Sequence, residues 1–169
     1  MIWFHVKQNE IDTIFASSSQ FKSAIKIIRI SGKKANKIAK IFNFKKPKPR
    51  VFALKKLTHK KKLIDYAPVV WLPKHTSFTG EDTYEIYIHG SIVIEKLIYK
   101  ILSSYKDFRY AEPGEFTKRA TINGNIDLVQ AESINEIINA QTEKQLSIAQ
   151  SHLDGSLSKI INNWRDDII

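Results

Sequence analysis

Cysteine is absent from the 169 residues, which excludes disulfides, thiolate metal sites and thiol nucleophiles. This composition fits a reducing compartment, so we expect a cytoplasmic protein. Long apolar runs are missing as well, since no segment approaches the ~18 apolar residues that a membrane span needs. The first residues, Met1 to Lys7, lack the basic start of a targeting signal. We therefore expect no membrane association.

Glycine is scarce, and its six positions decide whether these residues can hydrolyse a nucleotide. Residues 31–33, Ser-Gly-Lys, look like the end of a phosphate loop, but that motif needs glycine at position 27 and Ser or Thr at position 34. The chain has Ile27 and Lys34 there. The glycines form no dinucleotide-binding fingerprint, and the histidines show no metal-ligand spacing. We expect no GTP hydrolysis from this segment alone.

Acidic residues are absent between Lys33 and Lys62, where 13 Lys and Arg residues supply the excess behind the net charge of +10. One interpretation is an electrostatic footprint for an RNA backbone. The other is codon bias, because lysine outnumbers arginine and isoleucine outnumbers valine throughout the chain. Phosphate recognition favours the arginine fork, so a lysine-rich segment is the weaker signal.

Three runs in the first half predict strands, and the first of them is rich in β-branched residues. The first covers residues 24–30. Residues 50–57 and 63–72 predict two more, with a hairpin tip at residues 59–62. Because Pro68 has no N–H to donate, we expect the last of these to be an edge strand or a bulged strand.

A fourth strand and two helices complete this region. Residues 83–89 alternate strictly in polarity, which predicts a strand. Apolar residues recur at helical spacing over residues 35–42 and, most regularly, over residues 94–105. Strands and helices alternate irregularly, so we predict an α+β fold with a mixed sheet.

After this region the pattern becomes wholly helical. A short helix is predicted to end at Asn123-Gly124, where glycine supplies the left-handed cap. Asp127 and Gln130 have the spacing of a capping box. An apolar stripe then runs over residues 134–168, with Gly155 as a kink or break. Such a stripe needs either another subunit or sequence beyond these residues to cover it, and we expect the latter.

Two charged residues stand among apolar neighbours in strands. Alternation places Arg29 on one face with Ile27, and a guanidinium there needs an anionic or carbonyl partner. In the later strand Glu85, Tyr87 and His89 share a face, and a carboxylate beside an aromatic ring suits a flat heterocycle with N–H donors. The alternative is a purely structural Arg29–Glu85 bridge beside a half-solvated tyrosine. We assign His89 no role.

Several motifs, in their order and spacing, resemble a known family over about Asp12 to Gly155. They are Ile28-Arg29-Ile30-Ser31-Gly32; Ser77-Phe78-Thr79-Gly80-Glu81-Asp82 leading to Glu85 and His89-Gly90; Pro113-Gly114-Glu115-Phe116-Thr117-Lys118-Arg119-Ala120; and Asn123-Gly124, Asp127-Leu128 and Gln130-Ala131-Glu132. On these motifs the chain resembles the tRNA uridine-5-carboxymethylaminomethyl modification GTPases, the MnmE or TrmE family.

The resemblance implies a fold and a set of partners. It implies a mixed-sheet, tetrahydrofolate-binding-like domain that also joins two subunits in a homodimer, followed by a mostly α-helical segment. It implies a one-carbon donor, 5-formyl- or 5,10-methylene-tetrahydrofolate, and a flavin-dependent partner protein for modification of the wobble uridine C5 of tRNA. GTP, Mg²⁺ and K⁺ would belong to a Ras-like GTPase domain that these residues do not contain.

Carried over by motif, the cofactor-binding positions are Arg29, Glu85 and Asn125, the last standing where the family usually has lysine. No catalytic residue and no metal ligand is assigned. The predicted division is an N-terminal extension at 1–11, a folate-binding-like dimerising domain at 12–122, and the first helices of a helical domain at 123–169.

Two other functions compete with the folate-binding segment. One is a non-catalytic dimerisation module that has lost folate binding and docks tRNA or a partner through the basic segment Lys33–Lys62. The other is an independent aminomethyltransferase, which no additional acid or base candidate supports.

Overall fold

The computed structural model describes residues 12–18 and 23–168, with the backbone alone at 158–160, 162, 166 and 168. The chain divides into two compact units, residues 1–113 and residues 114–169, called here the sheet unit and the helical unit. The predicted extension at 1–11 lies outside the described residues. The predicted α+β class is confirmed, because a mixed sheet is followed by helices.

The sheet unit contains six strands in the order β3-β4-β5-β2-β1-β6. The strands are β1 Thr13–Ser17, β2 Ile25–Ser31, β3 Ala53–His59, β4 Lys62–Leu72, β5 Thr83–His89 and β6 Phe108–Tyr110. β1 and β6 run parallel and the other pairs run antiparallel, which makes the sheet mixed. β1 and β6 were not predicted, since runs of five and three residues show too little alternation to be recognised.

The core lies on one face of this sheet. In β2 and β5 the β-branched side chains at alternate positions are fully buried, as the period of two requires. The 3-10 turn Ala35–Lys37, helix α1 Ile38–Ile41 and helix α2 Ile92–Ser103 add their apolar side chains to the same cluster. Both predicted helices are therefore confirmed.

β3 and β4 form a two-residue hairpin. His59 pairs with Lys62, and Lys60 and Lys61 have φ values of 48° and 65°, the conformation of a tight turn that matches strand twist. β4 is internal, so the prediction of an edge strand is wrong. Pro68 is tolerated because pairing with β5 begins only at Val69, which leaves β4 one paired neighbour at the proline. The alternative prediction of a bulged strand fits a register shift opposite Leu57.

The helical unit contains four helices in its described residues. They are α3 Glu115–Ile122, α4 Leu128–Asn139, α5 Glu143–Leu153 and α6 Ser156–Ile168. The predicted capping box of Asp127 and Gln130 begins α4, and Thr142 and Gln145 form another at α5. Gly155, with a φ of 82°, separates α5 from α6 as predicted.

Candidate ligand-binding site

Arg29 and Glu85 lie opposite each other on two neighbouring strands in the middle of the sheet. β2 and β5 are antiparallel, and their register aligns Arg29 with Glu85. Ile28 and Ile86 point into the core and are fully buried. Because side chains alternate across a strand, Arg29 and Glu85 point to the opposite, solvent-facing side of the sheet.

The two side chains form a direct ion pair. Nε and Nη2 of Arg29 lie 2.9 and 2.8 Å from Oε1 of Glu85. The Arg29 side chain is 35% exposed and that of Glu85 14% exposed, so the pair is partly desolvated yet reachable from solvent. Charge-assisted bonds of this length hold both groups in place. This geometry satisfies the structural-bridge interpretation, and it also presents a fixed carboxylate to a ligand.

Tyr87 extends this pair along β5. Its hydroxyl donates a 2.8 Å hydrogen bond to Oε2 of Glu85. Burial raises the pKa of Tyr87, and the hydrogen bond and negative charge of Glu85 raise it further against the opposing effect of Arg29. The tyrosine therefore stays a neutral donor to the carboxylate. We call Arg29, Glu85 and Tyr87 the β2–β5 cluster.

Apolar side chains surround the β2–β5 cluster. Val70 of β4 pairs with Glu85, Ala16 of β1 pairs with Arg29, and Ile27 pairs with Tyr87. The ring of Phe52 meets the Tyr87 ring edge-on, with centroids 4.8 Å apart. Phe52 lies in the predicted strand 50–57 but precedes β3, which begins at Ala53. Its contact with Tyr87 was missed, because alternation within one strand gives no sign of which other strand a side chain will contact. The surroundings suit a flat ring whose N–H groups bind the carboxylate.

A second polar pair lies at the end of β5. Oδ2 of Asp65 accepts a hydrogen bond of 2.9 Å from the His89 backbone N–H, and Oδ1 lies 2.7 Å from Nδ1 of His89. Asp65 is buried, whereas the His89 side chain is 71% exposed. Sequence reasoning missed this contact; the only available signal was an aspartate inside an otherwise apolar strand.

Gly90 follows His89 because no side chain fits there. A Cβ at position 90 would lie 1.6 Å from the carbonyl oxygen of Ser23. The Gly90 N–H donates to the Ala24 carbonyl at 2.9 Å, which joins the end of β5 to the start of β2. The glycine thus fixes the strand end that carries His89.

Comparison with known proteins places this fold in a family. The family model "GTP-binding protein TrmE N-terminus" matches residues 13–125, and the model "MnmE helical domain" matches residues 128–169. The chain belongs to the MnmE/TrmE family. The predicted resemblance is therefore confirmed, and the chain carries the N-terminal and helical regions that are typical of tRNA modification GTPases of this family.

Individual relatives agree with this assignment. The tRNA modification GTPase MnmE of Anaplasma marginale (strain St. Maries) is 42% identical over 161 residues, which cover 94% of this chain and 36% of the relative. MnmE of Neorickettsia sennetsu is 42% identical over 162 residues, with 94% and 29% covered. The mitochondrial tRNA modification GTPase mss1 of Schizosaccharomyces pombe is 39% identical over 166 residues, with 95% and 34% covered. The chain thus spans about a third of the length of these curated relatives.

One MnmE/TrmE motif, Ser77–Asp82, closes the end of β2. The Ser31 hydroxyl lies 2.7 Å from the Thr79 hydroxyl and donates to Oε2 of Glu81 at 2.9 Å. Thr83 donates to the Ser31 hydroxyl at 3.2 Å, so this buried polar network is satisfied internally. The motif therefore places Glu81 beside the strand end opposite to the one that carries His89.

Asn125, the third cofactor-binding position, belongs to the helical unit. It follows Gly124, whose φ of 74° ends α3. The Asn125 backbone N–H donates to the Ala120 carbonyl at 2.9 Å, and the side chain is exposed. Its participation in a common site with Arg29 and Glu85 stays a prediction.

The described residues contain no group of three or more His, Asp or Glu residues that could hold a metal ion. Within the same part of the chain, no helix is both long enough and apolar enough to cross a membrane.

Proposed function

We propose that this chain is the tetrahydrofolate-binding and dimerising part of a tRNA modification GTPase, and that it acts in modification of the wobble uridine C5. The observation that carries the proposal is the β2–β5 cluster, a fixed carboxylate, guanidinium and phenol on the solvent-facing side of the sheet. In this proposal GTP hydrolysis, with Mg²⁺ and K⁺, belongs to a GTPase domain outside these residues. The cysteine-free composition supports the cytoplasm as the proposed location.

Hydrogen-bonding capacity supports a reduced pterin as the ligand. Each carboxylate oxygen of Glu85 can accept two hydrogen bonds, and Oε2 accepts one from Tyr87. Oε1 already accepts from both Nε and Nη2 of Arg29, so one acceptor position remains, on Oε2. An N–H donor on the amino-pyrimidine edge of a pterin matches that position. Ile27 and Val70 offer apolar surface to the ring. A neutral heterocycle with donors thus fits better here than an anion, which Glu85 would repel.

Calorimetric titration of the chain with 5-formyltetrahydrofolate tests the proposal. We expect saturable binding that Arg29→Ala or Glu85→Ala weakens at least tenfold, a loss of about 1.4 kcal/mol. Glu85→Gln should weaken binding similarly, because an amide oxygen replaces only one of the two acceptors. Lys37→Ala is the matched control, since it breaks an ion pair with Asp107 outside the cluster. Wild-type protein that shows no saturable binding would contradict the folate assignment.

Dimerisation is part of the same proposal and has its own measurement. Sedimentation equilibrium of the full chain should give twice the monomer mass of 19.5 kDa. A monomer mass at all accessible concentrations would contradict the proposed dimer but not the proposed ligand.

A second candidate function is docking of tRNA, or of the flavin-dependent partner, through the basic segment Lys33–Lys62. The observation that favours it is exposure: of the 13 Lys and Arg residues in the segment, all except the half-buried Lys34 and Lys55 are exposed. Exposed positive charge of this density attracts phosphate backbones.

Retention of tRNA as a function of salt tests this second candidate. The affinity should fall steeply as the salt concentration rises, because counterions are released from the phosphates. Replacing Lys60, Lys61 and Lys62 with glutamate should weaken retention at least tenfold more than the same replacement at three exposed lysines outside the segment. Those controls are Lys96, Lys100 and Lys106. A flat salt response would eliminate the docking function.

A further inference from the structure

Three consecutive cross-strand pairs form a ladder on the solvent-facing side of β2 and β5. The pairs, in order along the strands, are Arg29–Glu85, Ile27–Tyr87 and Ile25–His89. The ladder is charged at one end, apolar and aromatic in the middle, and carries an imidazole at the other end. A ligand that lies along it would meet these three kinds of surface in sequence.

The imidazole of His89 is held in one orientation. Its Nδ1 lies 2.7 Å from Oδ1 of Asp65, and its own backbone N–H donates to Oδ2. The Tyr66 N–H donates to Oδ1 at 2.8 Å, so a buried carboxylate with three hydrogen bonds orients the ring. With Nδ1 directed at Asp65, Nε2 points away from it, and among the described residues no contact to Nε2 is found.

The position of His89 suits the far end of an extended ligand. His89 lies four positions after Glu85, which corresponds to about 13 Å along a strand. A cavity of about 450 Å³ is lined by Ser23, Ala24, Gly90 and Ile92, residues that adjoin the Ile25–His89 pair along the chain. The His89 side chain is itself 71% exposed, so this end of the ladder is open to a terminal group of the ligand.

Charge distinguishes the two ends of the strands. Beyond Arg29, toward the Ser31–Thr83 pair, stands Glu81, whose carboxylate accepts from Ser31 at 2.9 Å. The imidazole at the His89 end presents Nε2 to solvent, and an Nε2–H there can donate to an anionic group of the ligand.

We propose that His89, oriented by Asp65, is a positioning residue for the carboxylates of the glutamate tail of a folate whose pterin ring lies at the Arg29–Glu85 pair. The aminobenzoyl ring then lies over Ile27 and Tyr87. This inference rests on the proposed function and adds the direction of the ligand and the group that receives its acidic end.

A ligand comparison tests the inference. Binding of 5-formyltetrahydrofolate is measured beside binding of its bis-amide, in which both glutamate carboxylates are neutral. Wild-type protein should prefer the acid about tenfold, the scale of one charge-assisted hydrogen bond. His89→Ala should abolish that preference while leaving the affinity for the bis-amide unchanged, and His89→Arg should restore the preference. Lys106→Ala, which removes an exposed cation elsewhere, should change neither affinity.

The outcomes distinguish a failure of this inference from a failure of the proposed folate binding on which it rests. If wild type and His89→Ala show the same preference, the tail does not reach His89 and the inference is wrong, while the folate site stands. If wild type binds neither ligand, the proposed function is wrong and this inference falls with it. His89→Ala also removes one of the three hydrogen bonds of buried Asp65, so the acid and the bis-amide are compared within each variant, where a loss of stability affects both ligands equally.

Discussion

The sheet unit and the helical unit both contain large apolar side chains but bury them differently. In the sheet unit the fully buried side chains include Tyr84, Phe15 and Phe42, together with isoleucines of the central strands. In the described part of the helical unit the buried residues are small or polar. They are Glu115, Ala120, Ser133 and Ala149. Large apolar side chains of that unit, among them Ile138 and Trp164, are mostly exposed.

This difference shows that apolar content alone does not produce a core. A sheet face covered by α1 and α2 removes its isoleucines from water, which is the dominant favourable term in folding. α4 and α5 instead depend on their capping boxes and on one another, and a groove of about 570 Å³ remains open between α3 and α4. We therefore expect the sheet unit to unfold at higher denaturant concentration than the helical unit.

The largest effect should come from one substitution made in both units. Ile30 is fully buried and Ile138 is 75% exposed. Ile30→Ala should lower the free energy of unfolding by about 2–5 kcal/mol, because it removes buried atoms and leaves a cavity. Ile138→Ala should change it by no more than about 0.5 kcal/mol. Urea titration followed by near-UV circular dichroism measures both.

Ile30→Val provides the control, since the loss should then shrink to about 0.5–1.5 kcal/mol. Equal losses for Ile30→Ala and Ile138→Ala would mean that Ile138 is covered in solution. The comparison between the two units would then be wrong.

An intermediate effect should appear at alkaline pH, and only in the sheet unit. All six tyrosines lie before residue 113. Burial, followed by the negative charge of Asp82, raises the pKa of Tyr84 from 10.0 to about 12. Between these pH values the folded state keeps the Tyr84 proton that the unfolded state releases. The contribution of Tyr84 to the free energy of unfolding is therefore constant below pH 10 and falls as the pH rises from 10 to about 12. The loss is on the order of 2–3 kcal/mol.

Tyr84→Phe should remove most of that alkaline loss. At neutral pH the substitution should leave the free energy of unfolding unchanged or raise it, because the buried Tyr84 hydroxyl has no hydrogen-bond partner among the described residues. Urea titrations at pH 9, 10 and 11 measure the effect, and Tyr66→Phe, at an exposed position, is the control. If Tyr84→Phe lost stability with pH as steeply as wild type, a group other than Tyr84 would cause the alkaline loss.

The solvent-facing cluster could be anticipated because it depends on alternation within single strands. The period of two alone places Arg29 on one face with Ile27, and Glu85 on one face with Tyr87 and His89. The contact between Asp65 and His89 could not be anticipated, because it joins residues 24 positions apart on different strands. Strand order and register decide such contacts, and neither is encoded in local periodicity.

The same limit explains the errors in the fold. A proline inside a strand usually indicates an edge, and the sequence gives no sign that pairing of β4 with β5 starts just after Pro68. The apolar stripe at 134–168 was continuous in spacing, so the break at residues 140–142 was not anticipated. Thr142 and Gln145 did carry a capping-box signature there. The capping residues therefore indicated the start of α5, although the apolar spacing alone suggested an uninterrupted helix.

The smallest effect concerns helix caps, which should matter more where packing is weak. The Asp127 carboxylate accepts from the Gln130 N–H at 2.8 Å, whereas the Ser91 hydroxyl at α2 accepts from the Ile94 N–H at 3.4 Å. Asp127→Ala should cost about 1 kcal/mol and reduce the helix signal in far-UV circular dichroism. Ser91→Ala should leave that signal unchanged, because buried Leu102 anchors α2 to the sheet. Asp127→Ser should recover the loss, and an equal decrease in both alanine variants would show that α4 is packed as firmly as α2.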